Sequence, residues 1–370
     1  MSDTPIFVTR SSMPPLDEYV QEIAPLWDTH CLTNMGEKHQ QLEEGLRAYL
    51  DVEDLALFVN GHNALECVLE AMNLQGKVIT TPFSFASTTH AIVRKGLTPV
   101  FADIREDDYT LDPARVEDLV DDDTCALMPV HVYGNLCDVE ALQDIADRHG
   151  LKVIYDAAHA FGVRKGGVSA AAFGDASMFS FHATKVFNTI EGGAVCFREP
   201  GLKEKLNQWK NFGITGQEDV EYVGGNAKMN EFCAAMGICN LRHVDEEIAK
   251  RKAVVERYWA NLEGVDGVVL CRPEDGIAPN YAYLPVMFED GFEASRDEVF
   301  GALRAQGVFP RKYFYPLISD YACYRGRFDS ADTPMAARVA ARVLTLPLYA
   351  DLCLADVDRI CDIVLSVPGK

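Results

Sequence analysis

From residue 55 to about residue 200, short apolar runs alternate with stretches whose apolar positions recur at helical spacing. The runs are LALFV (55–59), KVITT (77–81), TPVFADI (98–104), CALMPVHVYG (125–134), KVIYD (152–156), ASMFSF (176–181) and GAVCF (193–197). Each has the length and the bounding turn residues of a strand. Between the first two, Ala64, Leu65, Val68, Leu69 and Met72 mark one face of a helix. Strand and helix in alternation predict an α/β fold with a largely parallel mixed sheet. Beyond it, NEFCAAMGICNLRHVDEEIAKRKAVVERYWANLEG (230–264) reads as one long helix ending at Gly264 and leading to a second unit. A chain of 370 residues exceeds one typical core. We therefore expect an N-terminal segment with a large domain over 1–245 and a small C-terminal domain over 246–370, with no internal repeat.

Composition narrows the function classes. The formal net charge is −22, from 56 acidic and 34 basic residues, which argues against a broad basic surface for nucleic acid. No apolar run reaches eighteen residues, and MSDTPIFVTR lacks the pattern of a signal peptide, so a cytoplasmic protein without a membrane span is expected. Eleven scattered cysteines without a C-x-x-C pair suggest free thiols rather than a disulfide scaffold. Nine histidines form no H-x-x-x-H pair, and no metal site is expected.

Two segments carry the candidate chemistry. In KVIYDAAHAFG, Asp156 closes an apolar strand, and in open α/β sheets ligands collect at that strand end. Capping of the following turn is the alternative use of such an aspartate. In SMFSFHATKVFNTIEGG, Lys185 stands among Phe181, Val186, Phe187 and Ile190, an apolar setting that lowers an amine's pKa; a surface lysine beside a buried turn is the other reading. Gly192 and Gly193 permit close backbone approach. An amine able to condense with an aldehyde, opposite an anion able to keep a pyridine nitrogen protonated, are the two needs of pyridoxal phosphate. The turn at Gly61, His62 and Asn63, between a strand and a helix N-terminus, suits a phosphate, although an ordinary helix cap has the same pattern. After Pro82, Phe85 or Phe83 is placed to stack on a flat ring or to pack in the core.

With these motifs, the chain resembles the DegT/StrS family of sugar aminotransferases. The resemblance runs through LTNMGEKHQQLEEGLRAYL (32–50), VNGHNALE, TPFSFAST, YDAAHAFG and SFHATKVFNTIEGG to GGNAKMNEFCAAMGICNL (224–241), with RKYFYPL (311–317) and LPLY (346–349) more weakly. It implies an aspartate-aminotransferase-like fold, type I among pyridoxal-phosphate enzymes, and Lys185 as both Schiff-base lysine and proton shuttle. It further implies Asp156 on the pyridine nitrogen, His159 near the ring hydroxyl and Phe85 on the ring face. Ser180 with the backbone of Gly61, His62 and Asn63 is implied to hold the phosphate, joined by Asn226 from a neighbouring subunit of a homodimer. Many relatives carry a small hydroxyl residue and alanine where this chain has His62 and Asn63, which leaves backbone contact there. His182 is assigned either to phosphate or sugar, or to turn packing. Arg311 and Lys312, beside Tyr313, Phe314 and Tyr315, are candidates for the diphosphate and base of a nucleotide sugar.

By the same resemblance the donor is L-glutamate and the acceptor a dTDP-linked keto-deoxyhexose. Amination at C4 of dTDP-4-keto-6-deoxyglucose is the first reading, within deoxysugar supply to a glycan or antibiotic. A 3-keto isomer is the second. A lyase or desulfurase with the same lysine and aspartate, or a non-catalytic sensor, are the readings from other classes.

Overall fold

Seven central strands form one sheet: β1 (Asp54–Phe58), β2 (Lys77–Thr80), β3 (Thr98–Phe101), β4 (Thr124–Leu127), β5 (Lys152–Asp156), β6 (Ala176–Ser180) and β7 (Gly193–Phe197). The structure, a computed structural model, describes residues 4–367. Spatial order is β1-β7-β6-β5-β4-β2-β3, and β7 runs antiparallel to both its neighbours while the other pairings are parallel. Both faces of the sheet are covered, so successive side chains enter opposite cores. Leu55 and Leu57 pack with Leu42, Leu46 and Phe161, whereas Ala56 and Phe58 pack with Leu65, Val68 and Leu206. Val153 and Tyr155 divide from Ile154 in the same way. Near-continuous apolar strands follow from that burial.

The fold is the α/β arrangement expected, with one shortened element. CALMPVHVYG is strand only to Leu127, because Pro129 has no N–H to donate to the ladder. Beyond it a single bridge joins Val130 to Asp156, and Val132–Gly134 forms a 3-10 turn.

The long helix spans Glu231–Leu262, with the Asn230 side chain accepting the Cys233 N–H at its start. Ala234 and Val244 lie in the core beneath the sheet. Val254, Val255, Tyr258 and Leu262 lie in a second core. That second core rests on an antiparallel sheet of Val268–Leu270, Leu284–Phe288 and Val343–Leu346 and on helices Arg296–Ala305 and Leu354–Leu365. Chain crossings tie the two cores together. Ile6–Phe7 pairs with Val308–Phe309, and Ile277–Ala278 pairs with Arg164–Lys165. A fourth cluster, with Phe83, Tyr109, Tyr133 and Phe314 in edge and stacked contacts, joins the strand-end loops to the C-terminal unit.

Among the described residues, no helix is long and apolar enough to cross a membrane, and no group of three or more His, Cys, Asp or Glu is placed to hold a metal ion. The eleven cysteines are free.

Gly193 sets how closely β7 approaches the turn after β1. A Cβ at Gly193 would stand 2.7 Å from the carbonyl carbon of Asn60 and 2.7 Å from the nitrogen of Gly61, both backbone atoms that cannot swing aside. Gly301, exposed in helix Arg296–Ala305, has no atom within 4 Å of such a Cβ. The two substitutions are expected to differ in sign: urea denaturation should show Gly193→Ala destabilised by about 1–3 kcal/mol and Gly301→Ala stabilised by about 0.5–1 kcal/mol.

Candidate active site

A cavity of about 430 Å³ opens at the C-terminal strand ends, within the size range of small-molecule sites. The turn after β1 supplies Gly61 and His62, the loop after β2 with the start of helix Ala86–Arg94 supplies Ser84, Phe85 and Ser87, and β5 with its following turn supplies Asp156 and His159. The last residue of β6, Ser180, and the loop from β6 to β7 with His182 and Lys185 follow, while Tyr283, Arg311, Tyr313 and Phe314 enter from the C-terminal unit. A wider open groove of about 1160 Å³ lies elsewhere, between Glu106, Asp107, Glu289 and Asp290 and neighbouring arginines. It contains no lysine, so it offers no amine for aldehyde chemistry.

Asp156 is the last residue of β5 and is buried. Its Oδ2 accepts the Thr88 hydroxyl at 2.7 Å, and its Oδ1 accepts the Ala158 N–H at 3.1 Å. Burial raises its pKa, against which Thr88, Ala158, Lys185 and His62 act. A cation docked against the free edge of this carboxylate would be held by charge as well as by a hydrogen bond.

Lys185 follows a tight turn closed by its N–H on the His182 carbonyl at 2.9 Å. The side chain is partly buried. Its Nζ makes no hydrogen bond among the described residues and lies 5.9 Å from the centre of the Tyr283 ring. Burial lowers its pKa to about 8, with Asp156 pulling the other way. At neutral pH roughly a tenth of such amines are uncharged, against a few ten-thousandths at the ordinary lysine value.

His159 is buried, and its pKa lies well below the ordinary value, through burial first and Lys185 second. Its Nδ1 accepts the Tyr133 backbone N–H at 3.1 Å, so the single proton of the neutral ring sits on Nε2, where it can be donated. Phe314 stacks in parallel on this imidazole at 6.0 Å and Tyr283 tilts against it at 4.8 Å.

The structure separates the two phenylalanines. Phe85 is 60% exposed and lines the cavity, while Phe83 is fully buried in the aromatic cluster behind it. At the turn after β1, helix Gly61–Ala71 begins with Asn60, whose side chain accepts the Asn63 N–H at 2.8 Å. That donor is occupied, and Asn63 does not line the cavity. Gly61 and His62 do line it, and as the first two helical residues their N–H groups have no intrahelical partner. The Ser180 hydroxyl, also without a partner among the described residues, faces the same end. A Cβ at Gly61 would stand 3.0 Å from the Ser180 Cβ, so glycine keeps this corner open.

The remaining candidates divide. His182 and Arg311 line the cavity; His182 contacts the Thr184 hydroxyl at 2.8 Å and stands 3.7 Å from Glu191, and the Arg311 guanidinium has no carboxylate partner among the described residues. Tyr313 lines it too, its carbonyl accepting the Tyr133 hydroxyl. Lys312 points away, bonded to Asp297 at 2.6 Å beneath the Phe300 ring, and Tyr315 stands 54% exposed beside Arg296; neither lines the cavity. Asn226 is exposed on the 210–228 loop, held by Lys228 at 2.9 Å, away from the cavity of its own chain. Sequence reasoning missed Thr88, Tyr283 and Ser84. Thr88 at least lies in a segment already singled out, one helical turn after Ser84.

Amine transfer through an aldehyde cofactor needs a partly neutral lysine and a fixed anion in one enclosed space. Both stand at the C-terminal edge of a doubly covered sheet, and fold and site together fit an aminotransferase. The chain belongs to the DegT/DnrJ/EryC1/StrS aminotransferase family, whose profile matches residues 16–365. It is 42% identical over 350 residues to a dTDP-4-amino-4,6-dideoxy-D-glucose transaminase of Shigella dysenteriae, covering 95% of each chain. With a transaminase of the same name from Escherichia coli it shares 41% over 369 residues, covering 99% of this chain and 100% of the relative. Among solved structures, DesI in the presence of its TDP-sugar product superposes with a TM-score of 0.94 at 34% identity, over 100% of this chain and 94% of that one.

The lowered pKa of Lys185 has a direct readout. In competitive acylation of the cofactor-free protein, labelling of Lys185 should rise about tenfold per pH unit and level off near pH 8, while exposed lysines continue rising towards pH 10. A Lys185 profile that tracks the exposed lysines would contradict the assignment.

Proposed function

We propose that this chain is a pyridoxal-phosphate-dependent transaminase that places an amino group at C4 of dTDP-4-keto-6-deoxy-D-glucose, taking it from L-glutamate. The observation that carries the reading is Lys185 and Asp156 in one cavity, in a chain with 42% identity to a transaminase named for the 4-amino-4,6-dideoxy product. A dTDP-3-amino-3,4,6-trideoxy-α-D-glucose transaminase of Micromonospora megalomicea matches at 31% over 354 residues, which favours C4 over C3.

The residues fit the cofactor at each end. Asp156 offers an anion for a pyridinium nitrogen, the His159 Nε2–H a donor for a ring hydroxyl, and Phe85 an apolar face, where stacking adds about 0.5–1.5 kcal/mol. Free N–H groups of Gly61 and His62, with the Ser180 hydroxyl, suit a phosphate at the positive end of a helix. When bound, pyridoxal phosphate supplies an aldehyde that condenses with amines and a ring that accepts the electron pair left when a proton departs.

Lys185 then has two tasks at one atom. Its neutral Nζ would hold the cofactor's aldehyde end, and the same amine, when free, would take up and return a proton as general base and acid. Asp156 keeps the ring cationic. Arg311, with no carboxylate partner among the described residues, receives the anionic portions of the substrates, while His182 with Glu191 lines the same cavity as Lys185 to meet sugar hydroxyls. Glutamate leaves as its 2-keto acid, and the keto-sugar leaves as the amine.

A dimer is part of the proposal. Val223 is 95% exposed and Val220 65%, with Phe212 and Ile214 also open to solvent, all on the loop that carries Asn226. A second copy covering this apolar loop would bring Asn226 to the partner's phosphate site. Light scattering should give twice the chain mass; a stable, active monomer would remove this element.

Incubation of the purified enzyme with glutamate and either keto-sugar tests the substrate. The expected result is turnover of the 4-keto compound, with the new amine at C4 by NMR. Activity on the 3-keto isomer alone, or release of alanine or of sulfide from cysteine, would overturn the reading.

A further inference from the structure

Asp156 is held by a neighbour on a different element. Thr88, in helix Ala86–Arg94, is fully buried, and its hydroxyl donates to Asp156 Oδ2 at 2.7 Å. The Ser84 hydroxyl lies 2.8 Å from the same Thr88 oxygen. A hydroxyl has one proton, and an ionised carboxylate only accepts. Thr88 therefore spends its proton on Asp156 and must accept that of Ser84, which gives the chain a direction: Ser84 to Thr88 to Asp156. The branched threonine side chain has few rotamers, so the donor is fixed before any ligand arrives. Ala158 N–H holds the other carboxylate oxygen, at 3.1 Å.

We propose that Thr88 is a positioning residue for transamination: its hydroxyl, fed by Ser84, keeps the Asp156 carboxylate ionised and aimed at the cofactor's ring nitrogen. The inference rests on the reading that the cavity binds pyridoxal phosphate. Burial alone works against the ionised form of Asp156, and the Thr88 hydroxyl is first among the groups that oppose it. The other titratable groups that Asp156 feels are Lys185 and His62, and neither donates a hydrogen bond to it; His159, three residues on, is kept neutral by its own burial. Removing one hydroxyl should thus weaken the anion without touching substrate, lysine or phosphate contacts.

The adjacent residue is an internal control. Thr89 is equally buried, yet its hydroxyl has no partner among the described residues. Thr88→Val and Thr89→Val make the same change of shape one position apart, and only the first removes a bond. With Thr88→Val, kcat should fall about ten- to hundredfold, the span of a hydrogen bond to a charged group, with KM for either substrate little changed. The pH midpoint of the bound cofactor's visible band should rise by about one unit, because a less positive ring repels a proton on the linking nitrogen less. Thr88→Ser should restore both quantities, and Thr89→Val should leave both at wild-type values. Should Thr88→Val fail to fold, Ser84→Ala carries the test, with a smaller rise of the midpoint in the same direction.

An unmoved midpoint with wild-type kcat in Thr88→Val, an unmoved midpoint in Ser84→Ala, or an equal effect from Thr89→Val would overturn the inference. A wild-type protein with no visible band after incubation with pyridoxal phosphate would instead remove the underlying cofactor reading.

Discussion

A carboxylate and an amine face the same small cavity, and burial there works against the charge of each. Burial leaves neither ion well solvated, and electrostatic interactions are stronger there than at the surface. Burial pushes Asp156 upward and Lys185 downward, and each favours the ionised form of its partner. A group that is cationic at one end and reactive towards amines at the other relieves both strains together. It would give Asp156 a positive partner and Lys185 a covalent one.

The scaffold serves that opposition by fixing its two members on different strands. Asp156 ends β5 and Lys185 follows β6, neighbours in the sheet paired from Ile154 to Asp156. Apolar side chains on both faces hold this pairing in place. The glycines are used where backbone must touch backbone, as at Gly193 against Asn60 and Gly61. The aromatic cluster around Phe83, Tyr133 and Phe314 does the remaining alignment, since Tyr133 fixes the His159 tautomer and also bonds the 313 carbonyl. Through it, the C-terminal unit sets the cavity wall opposite the strand ends.

Much of this was legible in the sequence because it is local. Apolar runs separated by helical spacing gave the strands, and Asp156 at the end of one and Lys185 just after another placed both near the strand ends. What was not legible depends on contacts far apart in the chain. Phe83 and Phe85 are chemically identical, and only the packing of Tyr109, Tyr133 and Phe314 decides which is core. Tyr283 reaches Lys185 from nearly a hundred residues away, and Thr88 reaches Asp156 across 68. The basic and aromatic run at 311–315 contains a turn, closed by the Tyr315 N–H on the Lys312 carbonyl at 2.7 Å, and its side chains diverge. Arg311 and Tyr313 enter the cavity, while Lys312 is drawn off by Asp297. Asn63 lost its assigned donor to the neighbouring cap, Asn60, a competition that composition alone does not reveal.

The central claim is a covalent tether at one amine. The chain holds a competitor for it: Lys210 is fully buried, with its pKa also lowered to about 8, but it donates to the Leu57 carbonyl at 2.9 Å and does not line the cavity. Borohydride reduction of the protein incubated with pyridoxal phosphate, followed by peptide mapping, distinguishes the two. The pyridoxyl label is expected on the peptide containing Lys185, at one per chain. A label on Lys210 or on scattered surface lysines, or no label at all, would contradict it.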